Sequence, residues 1–274
     1  MTDRYAVVGN PIAHSKSPFI HAEFAKQTNQ DMSYEAILAP LDDFKGAIER
    51  FRKAGYKGCN VTVPFKFEAF LCATSRSERA EIAKAVNTLK FEGDEIFGDN
   101  TDGVGLVADI ERNLHFSIAG KSVLLVGMGG AAWGVLYPIL RQSPKRLILS
   151  NRTVEKAVDA ARILSSLGKY DEIEIAAKSF EDLEGERFDI VINATSSGLN
   201  DEMPPLPSGL FSENSLAYDM MYGRKTPFME FAEKEGASKI SDGLGMLVEQ
   251  AAEAFFVWRG IKPETKSVIE NLRA

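Results

Sequence analysis

The fold of this chain is decided by the segment Val123-Leu124-Leu125-Val126-Gly127-Met128-Gly129-Gly130-Ala131-Ala132. Its four apolar residues predict a buried strand, its glycines predict a tight turn, and helical periodicity then continues to about Arg141. A strand, a Gly-rich turn and a helix in this order begin a βαβ unit. Because short apolar runs alternate with helical patterns along the rest of the chain, the sequence predicts a mostly parallel α/β fold.

The glycine turn fits the pattern G-x-G-x-x-A and lies between a predicted strand and a predicted helix, the context that makes this pattern informative. Its first glycine permits the turn, its second lets the backbone approach a pyrophosphate, and its small third residue lets the helix pack closely on the strand. Phosphate would meet free N–H groups at the positive end of the helix dipole. We therefore expect a dinucleotide site, the alternative being a turn needed only for packing. The expected contacts in this turn are Gly127, Gly129, Gly130 and Ala131.

The end of the next predicted strand, Arg146–Ser150, indicates which dinucleotide is bound. An NAD site usually has an acidic residue there for the ribose 2′-hydroxyl. This chain instead continues Asn151-Arg152-Thr153. Arg152 is a planar cation suited to a 2′-phosphate, and Lys156 would share a helix face with it. Two cations without a carboxylate favour NADP, the alternative being a helix start with ordinary surface charges.

Two polar segments upstream of this turn carry the residue types needed for proton transfer. They are Asn60-Val61-Thr62-Val63-Pro64-Phe65-Lys66 and Asn100-Thr101-Asp102-Gly103. Strand alternation puts Asn60 and Thr62 on one side of a strand, and Lys66 lies just beyond its end, where ligands bind in α/β sheets. A partly desolvated Lys66 paired with Asp102 could donate a proton to a nascent alkoxide. The alternatives are a surface lysine and an aspartate that only caps the helix predicted from Gly103.

Neutral hydrogen-bonding side chains suited to a small polar substrate occur toward both ends of the chain. The segment His14-Ser15-Lys16-Ser17-Pro18 follows the first predicted strand and places two hydroxyls two residues apart. Ser15 and Ser17 could each reach a carboxylate or a hydroxyl, although Ser17 also suits the N-cap of a helix with Pro18 at its first position. Gln250 lies on a predicted C-terminal helix and could reach the same site.

The predicted elements divide the chain into two parts, which its length allows. The other strands are predicted at Arg4–Val8, Ser33–Leu38, Cys59–Val63, Thr88–Phe91, Glu95–Phe97, Ile173–Ala176, Asp189–Asn193 and Leu216–Asp219. We place domain switches near Gly103–Leu106 and Asp242–Leu244. If the final helices return to the first part, one domain comprises residues 1–104 and 244–274 and the other residues 105–243.

Composition argues against several classes of function. The 274 residues are 45% hydrophobic and 26% charged, and the net charge of −7 with no basic tract disfavours a nucleic-acid partner. The start lacks a secretion signal and no apolar run approaches a membrane span, so we expect a cytoplasmic protein. Cys59 and Cys72 are too few for a disulfide framework and are expected to be buried or inert. The three histidines lack metal-site spacing, so no metal is expected.

Taken in order along the chain, these motifs resemble the shikimate dehydrogenase family, in its NADP-dependent form. The matching segments are Gly9-Asn10-Pro11-Ile12-Ala13-His14-Ser15-Lys16-Ser17-Pro18, Asn60–Lys66, Ala85-Val86-Asn87-Thr88, Asn100–Gly103, the glycine turn, Asn151–Thr153, Asn193-Ala194-Thr195-Ser196, Asp219-Met220-Met221-Tyr222, Asp242-Gly243 and Gln250. The resemblance implies reversible NADPH-dependent reduction of 3-dehydroshikimate to shikimate, a step in chorismate and aromatic amino-acid biosynthesis. It also implies a split α/β substrate domain, an inserted Rossmann-like NADP-binding domain and a cleft between the two.

The resemblance further implies a role for each of the matching polar residues. Lys66 and Asp102 would form the acid–base pair. The substrate carboxylate and hydroxyls would be held by Ser15, Ser17, Asn60, Thr62, Asn87, Tyr222 and Gln250. The adenosine 2′-phosphate would be met by Asn151, Arg152 and Lys156, with Met220 and Gly243 on the nicotinamide side and with Thr153 and Thr195 also in the NADP site.

Three residues depart from the family pattern around the cofactor. Met128 stands where the family has alanine, Trp133 where it commonly has arginine, and Lys156 where arginine is frequent. Met128 adds bulk near the pyrophosphate turn, Trp133 removes a cation, and Lys156 keeps its charge without bidentate geometry. We expect an altered affinity for NADP rather than its loss.

Three other functions fit parts of the pattern. A quinate/shikimate dehydrogenase that prefers NAD is disfavoured because no acidic residue stands at Ser150 or Asn151. A non-catalytic NADP-binding sensor would be expected to lack the acid–base pair. A methylene-tetrahydrofolate-type dehydrogenase has no support from the His-Ser-Lys-Ser-Pro segment. We expect a small-molecule substrate, no nucleic-acid or membrane partner, and a monomer or a homodimer.

Overall fold

The structure is a computed structural model that describes residues 2–274, so Met1, at the start of the first predicted domain, lies outside the described residues. The chain divides into two compact units. The first unit consists of the residues up to Gly105 together with Leu247–Ala274, and the second unit is Leu106–Met246. Each unit has its own sheet and its own helices, so the predicted two-domain α/β fold is confirmed.

Twelve strands and ten α-helices alternate along the described residues. The strands are β1 (Asp3–Gly9), β2 (Met32–Leu38), β3 (Tyr56–Val61), β4 (Ser75–Arg76), β5 (Thr88–Glu92), β6 (Glu95–Asp99), β7 (Ser122–Val126), β8 (Arg146–Ser150), β9 (Glu174–Lys178), β10 (Phe188–Asn193), β11 (Phe211–Asp219) and β12 (Lys239–Ser241). The helices are α1 (Ser17–Gln27), α2 (Phe44–Lys53), α3 (Lys66–Cys72), α4 (Glu78–Ala83), α5 (Asp102–Ala108), α6 (Gly130–Leu140), α7 (Val154–Ser165), α8 (Pro227–Lys234), α9 (Leu244–Arg259) and α10 (Lys266–Arg273). A π-helix, Asp109–Asn113, directly continues α5.

The sheet of the first unit has the order β2-β1-β3-β5-β6-β4. β1 is parallel to both of its neighbours, whereas β5 runs antiparallel to β3 and to β6. Because β5 is reversed, its first residue lies at the same edge of the sheet as the last residues of β1, β3 and β6. That edge gathers polar segments that are far apart in the sequence.

Helices cover both faces of this sheet, because successive residues of a buried strand point to opposite sides. Ala6 packs in a buried cluster with residues of α2 and α3. Its neighbour Tyr5 stacks on Trp258 of α9, with ring centroids 4.7 Å apart. Trp258 Nε1 also donates to the carbonyl oxygen of Leu89 at 2.9 Å. A Cβ atom on Gly58 would lie 2.4 Å from that oxygen, so glycine is required where α9 approaches the sheet.

The sheet of the second unit is parallel throughout and has the order β12-β11-β10-β7-β8-β9. With its strands counted along the chain and read from β9, this is the order 3-2-1-4-5-6 of dinucleotide-binding Rossmann domains. The Rossmann-like prediction made from the glycine turn is therefore confirmed. The strand order reverses between β7 and β10, and ligands bind outside the carboxyl ends of the strands at such a point.

Several predicted boundaries are wrong. β3 is Tyr56–Val61, so it begins and ends earlier than the predicted Cys59–Val63. β9 is Glu174–Lys178, so it begins and ends later than the predicted Ile173–Ala176. Ser17 is the first residue of α1 rather than its N-cap, which is Lys16. The side chain of Ser15 accepts a hydrogen bond from the N–H of Ser17 at 3.3 Å, so Ser15 makes the contact that a capping side chain would make.

Three elements, β4, β12 and α8, have no counterpart in the prediction. The two strands contain two and three residues, too few for alternation to be visible. α8 has a clear capping signal, because the Thr226 side chain accepts from the N–H of Met229 at 3.3 Å and Pro227 is the first helical residue. That signal was available in the sequence.

Candidate active site and cofactor site

The two residues predicted to move a proton are in direct contact in the first unit. Lys66 is the first residue of α3 and Asp102 the first residue of α5, and Lys66 Nζ donates to Asp102 Oδ2 at 2.6 Å. Their side chains are 20% and 10% exposed, so the pair is partly desolvated and still accessible to a ligand. The contact arises because β3 and β6, which lead to these helices, end at the same edge of the sheet.

Asn87 holds Asp102 from the other side. Its Nδ2 donates to Asp102 Oδ1 at 2.9 Å and to Thr101 Oγ1 at 3.0 Å, and its Oδ1 accepts from the N–H of Thr101 at 2.9 Å. Gln250 Oε1 accepts from Thr101 Oγ1 at 3.3 Å and from Asn87 Nδ2 at 3.3 Å. Each carboxylate oxygen of Asp102 therefore has a donor within the protein. Thr101 had no predicted role, although its position directly before Asp102 was a usable signal.

Asn60, which is predicted to bind substrate, also supports this network. Its Oδ1 accepts from the Tyr34 hydroxyl at 2.7 Å, and its Nδ2 donates to the carbonyl oxygen of Asn87 at 3.2 Å and to Thr88 Oγ1 at 3.0 Å. The residue is 6% exposed. Both polar atoms of Asn60 thus have partners inside the protein, and its observed contacts position Asn87.

The hydroxyl groups predicted to meet the substrate follow β1 and β3: Ser15 and Thr62 lie in the loops after these strands, and Ser17 is the first residue of α1. Thr62 directly follows β3, and its N–H donates to the carbonyl oxygen of Val8 at 2.9 Å. A Cβ atom on Gly9 would lie 2.4 Å from Thr62 Cγ2, so these two loops are in close contact. Ser15 and Thr62 are half-buried and Ser17 is buried. These hydroxyls therefore follow the same strand edge at which the lysine–aspartate pair lies.

The glycine turn of the second unit has the form that a phosphate site requires. Gly127 has a φ of +102°, and a Cβ atom there would lie 2.9 Å from Thr195 Cγ2 and 3.1 Å from the backbone of Ala194. Only glycine fits, for reasons of both conformation and space. Gly129 and Gly130 are exposed, a Cβ atom on either would have open space around it to 4 Å, and they stand at the start of α6. The first turn of this helix therefore offers N–H groups to an anion.

Arg152 and Lys156 do not share a helix face, contrary to the prediction. α7 begins at Val154 with Thr153 as its N-cap, so Arg152 precedes the helix and cannot share a face with Lys156. Both side chains are exposed, and neither forms an ion pair within the part of the chain that the structure describes. Two cations without a counter-charge remain available to a ligand.

Asn151 ties the glycine turn to the end of β8. Its Oδ1 accepts from the N–H of Met128 at 3.1 Å, and its Nδ2 donates to the carbonyl oxygen of Thr153 at 2.9 Å. The side chain of Met128 is buried. Trp133 is half-buried in the first turn of α6.

The residues predicted for the nicotinamide side, Met220 and Gly243, belong to two loops, after β11 and after β12, that are in close backbone contact. A Cβ atom on Gly243 would lie 2.4 Å from the carbonyl oxygen of Met220, so glycine is required there. The N–H of Gly243 donates to the carbonyl oxygen of Met221 at 2.8 Å. Tyr222, in the loop after β11, is 38% exposed, and burial of the rest of its side chain raises the pKa of its phenol.

Two buried polar residues that the prediction left without a role, Asn193 and Asp219, organise this region. Asp219 accepts from Asn193 Nδ2 at 3.2 Å, from Thr226 Oγ1 at 2.5 Å and from the N–H of Met221 at 2.9 Å. Burial raises the pKa of Asp219. Thr195 Oγ1 in turn donates to Asn193 Oδ1 at 2.8 Å. The ends of β10 and β11 are therefore hydrogen-bonded to each other, to Thr195 and to the loop that contains Met220 and Met221.

Other site chemistries find little support among residues 2–274. No group of three or more His, Cys, Asp and Glu side chains there is arranged to hold a metal ion. No helix in that range is both long enough and apolar enough to cross a membrane. Cys59 and Cys72 are free thiols, and burial raises the pKa of each, so neither favours the reactive thiolate.

A Rossmann-order sheet with an open glycine turn, in a chain whose other unit holds a lysine–aspartate pair, defines a two-domain dinucleotide-dependent oxidoreductase. Three family models match this chain. They are described as "Shikimate dehydrogenase substrate binding domain" over residues 7–89, "Shikimate / quinate 5-dehydrogenase" over residues 109–200 and "Shikimate 5'-dehydrogenase C-terminal domain" over residues 243–273. The chain belongs to the shikimate dehydrogenase family.

Individual relatives match over the full length. A shikimate dehydrogenase (NADP(+)) of Methylobacillus flagellatus is 58% identical over 273 residues, which cover 99% of each chain. Among solved structures, an Ael1 enzyme from Pseudomonas putida has a TM-score of 0.92 and 46% identity, covering 99% of this chain and 98% of its own. A shikimate 5-dehydrogenase from Thermus thermophilus, in complex with NADP(H) and shikimate, has a TM-score of 0.87 and 31% identity, covering 99% of both chains.

Proposed function

We infer that this chain interconverts shikimate and 3-dehydroshikimate as an oxidoreductase acting on a CH–OH group, with NADP as its cofactor. The observation that carries this function is the 2.6 Å contact between Lys66 and Asp102 in the first unit, in a chain that also contains a Rossmann domain. Full-length similarity to NADP-dependent shikimate dehydrogenases supplies the substrate and the cofactor. The reaction belongs to chorismate and aromatic amino-acid biosynthesis.

We assign the proton of this reaction to the Lys66–Asp102 pair. Reduction of a ketone requires a hydride on carbon and a proton on oxygen, and bound NADPH supplies the hydride. Lys66 Nζ has three N–H donors, and one of them is used by Asp102, so the others can bind the substrate oxygen and deliver the proton. Asp102 stabilises the ammonium group and fixes its direction.

We propose that the neutral hydrogen-bonding residues of the first unit recognise the substrate. Shikimate carries one carboxylate and three hydroxyls, and it needs many donors and acceptors in fixed positions. The proposed set in this unit is Ser15, Ser17, Asn60, Thr62, Asn87 and Gln250, and Asn60 also donates to the carbonyl oxygen of Asn87. Tyr222 of the second unit is the remaining proposed ligand. A substrate that lacks one hydroxyl should react poorly, because buried polar groups would lose their partner.

The residues of the second unit fit an NADP molecule. Gly127 leaves room for the turn, and Gly129, Gly130 and Ala131 are exposed at the start of α6, where a pyrophosphate would accept backbone N–H groups. Arg152 and Lys156 would hold the 2′-phosphate, with Asn151 and Thr153 shaping the loop that carries Arg152. Thr195, Met220 and Gly243 are proposed to line the nicotinamide side. No carboxylate lies between residues 150 and 153, which disfavours NAD.

The cellular location, partners and assembly state of the enzyme are further parts of the proposal. We propose a cytoplasmic enzyme whose partners are its two small-molecule ligands and that acts as a monomer or a homodimer, without a nucleic-acid partner. The assembly state is open to direct measurement by size-exclusion chromatography with light scattering. A larger closed oligomer would contradict this part of the proposal.

The function is tested by following the absorbance of the reduced cofactor with the purified chain. Shikimate and quinate would each be offered with NADP and with NAD, and Lys66→Ala would serve as the control. Rapid reduction of NADP with shikimate, lost in Lys66→Ala, is the expected result. Activity mainly with NAD or quinate would move the chain to the quinate/shikimate branch. Tight NADPH binding without turnover of either acid would support a sensor instead.

A further inference from the structure

A single, largely enclosed arginine connects two of the elements that carry the candidate site. Arg79 lies in α4 with a side chain 19% exposed. Its Nε donates to Asp99 Oδ1 at 2.7 Å and its Nη2 donates to Asp99 Oδ2 at 2.5 Å. The same Nη2 donates to Glu253 Oε1 at 3.1 Å. One guanidinium group therefore bridges the last residue of β6 and the middle of α9.

Asp99 is in direct contact with the segments that hold the acid–base pair. The residue is 3% exposed and accepts from the N–H of Asn100 through its Oδ1 at 2.7 Å. Its carbonyl oxygen accepts from the N–H of Asn87 at 3.0 Å. Asn100 Oδ1 then accepts from the N–H of Asp102 at 3.2 Å. A shift of Asp99 would be passed to both Asn87 and Asp102 through these bonds.

Glu253 connects Arg79 to α9, the helix that carries Gln250. It follows Gln250 by three residues, so the two side chains are neighbours on the helix surface. Gln250 accepts hydrogen bonds from Asn87 and Thr101, as described above. The position of α9 against the sheet therefore decides whether Gln250 reaches this network.

We propose that Arg79 is a positioning residue for the proposed reaction, holding Asp99 and Glu253 so that Asp102 meets Lys66 and Gln250 meets Asn87. This inference rests on the function proposed above. A lysine could not replace the arginine, because a single ammonium group cannot donate in parallel to both oxygens of Asp99 and also reach Glu253. Burial opposes the charge of Arg79, but the hydrogen bonds and charges of Asp99 and Glu253 outweigh this and raise its pKa.

The surroundings of Arg79 make this role testable by chemical rescue. A groove of about 430 Å³ opens beside the bridge and is lined by Arg79, Asp99, Glu253, Phe97 and Phe256, among others. In Arg79→Ala, a guanidinium ion in solution has a path to the two carboxylates that the side chain normally pairs. A sodium ion has the charge but not the planar set of donors.

The experiment compares Arg79→Ala, Arg79→Lys and Glu253→Gln with the wild-type enzyme. Arg52→Ala is the matched control, because Arg52 has a side chain 18% exposed and pairs with Glu49 at 3.2 Å, yet it lies on α2 and contacts none of the site residues named here. For each variant, kcat, both KM values and the thermal unfolding midpoint would be measured, with activity expressed per folded molecule.

We expect kcat of Arg79→Ala to fall by about tenfold or more, since small misplacements of reacting groups carry such costs. The kcat of Arg79→Lys and of Glu253→Gln should fall less than that of Arg79→Ala. KM for NADP should be unchanged in all three variants. Millimolar guanidinium chloride should restore kcat of Arg79→Ala in a saturable way, whereas sodium chloride of equal ionic strength should not. If Arg79→Ala does not fold, the test rests on a lower kcat with unchanged KM for NADP in Arg79→Lys and Glu253→Gln, compared with an unchanged kcat in Arg52→Ala.

Two results would overturn the proposal. One is an unchanged kcat per folded molecule in all three variants. The other is a loss of stability and of kcat in Arg52→Ala equal to that in Arg79→Ala, because the effect would then be general weakening of the unit. Inactivity of the wild-type enzyme with shikimate and NADP would instead refute the proposed function and is measured first.

Discussion

The candidate catalytic site of the first unit and the candidate phosphate site of the second unit are built in opposite ways. In the first unit, polar side chains bond to one another, and both oxygens of Asp102 have donors within the protein. In the second unit, Gly129 and Gly130 are exposed, and Arg152 and Lys156 have no ion pair within residues 2–274. The first site is organised before any ligand arrives, whereas the second is completed by the charge of its ligand.

This contrast predicts which measured quantity each unit controls. Changes in the first unit should lower kcat, because they disturb groups that act on the reacting atoms. Changes in the second unit should weaken cofactor binding, with a dependence on salt concentration, because exposed charges are screened. Variants that break this division would show that the two sites are less distinct than their contacts indicate.

The largest effect is expected from Lys66→Ala. Loss of the proton donor should lower kcat by about 10² to 10⁴-fold, the usual contribution of general acid–base catalysis, with little change in KM for NADPH. Steady-state kinetics on the reduced cofactor would measure both quantities. Lys57→Ala is the matched control, since Lys57 is an exposed lysine on β3 and its loss should change neither. A large change in KM for NADPH with kcat retained would contradict the assignment.

The next largest effect concerns folding, and it arises from a buried histidine in the first unit. His21 is fully buried and stacks on Tyr34 with ring centroids 4.1 Å apart. Burial lowers its pKa to about 3. Between the ordinary value of about 6.5 and this value, the unfolded chain binds a proton that the folded unit excludes. Stability is therefore fully present above pH 6.5 and falls by about 1.4 kcal/mol per pH unit below it.

Urea unfolding at pH 7 and pH 5 would measure this loss, which should reach about 2 kcal/mol. In His21→Phe, which keeps an aromatic ring against Tyr34, that part of the pH dependence should disappear. His115→Asn is the control, because His115 is exposed in the second unit and has a φ of 52°, which asparagine tolerates. Equal pH dependence in the wild type and in His21→Phe would show that the imidazole is not held neutral.

The same contrast explains what could be predicted from the sequence. The second unit was predictable because its decisive pattern is local: the strand Val123–Val126, the glycine turn and the helix after it are contiguous. The predicted helix face shared by Arg152 and Lys156 is wrong, since α7 begins at Val154 and leaves Arg152 outside the helix. The exact first residue of a helix is uncertain by one or two positions when it is inferred from residue spacing.

In the first unit, the residue types were predictable but their connections were not. Lys66 and Asp102 stood out as a possible pair, whereas the bonds from Asn87 to Gln250 depend on the reversal of β5 and on the return of α9 to this unit. Arg79 gave no signal, because an arginine inside a charged helix normally faces solvent. Only the fold shows that it lies between two carboxylates.

A moderate effect is expected from Arg152→Ala in the second unit. Removing a charged hydrogen-bond donor from a phosphate should weaken NADPH binding by about tenfold and leave NADH binding nearly unchanged. Calorimetric titration at low and high salt would measure both, and the difference should shrink at high salt. Arg162→Ala is the control, because Arg162 is an exposed arginine on α7 already paired with Asp159 at 2.7 Å. Equal losses for NADH and NADPH would remove the 2′-phosphate assignment.

The smallest effect is expected from Trp133→Arg, which restores the residue common in the family. Trp133 is half-buried in the first turn of α6, and an added cation there would attract phosphate through solvent while opposing the positive end of the helix dipole. The two contributions partly cancel, so NADPH should bind about two- to fivefold more tightly. Trp133→Gln separates the added charge from the lost indole. If both variants shift the dissociation constant equally, the effect belongs to the indole, and an unchanged constant in Trp133→Arg would remove this residue from the cofactor site.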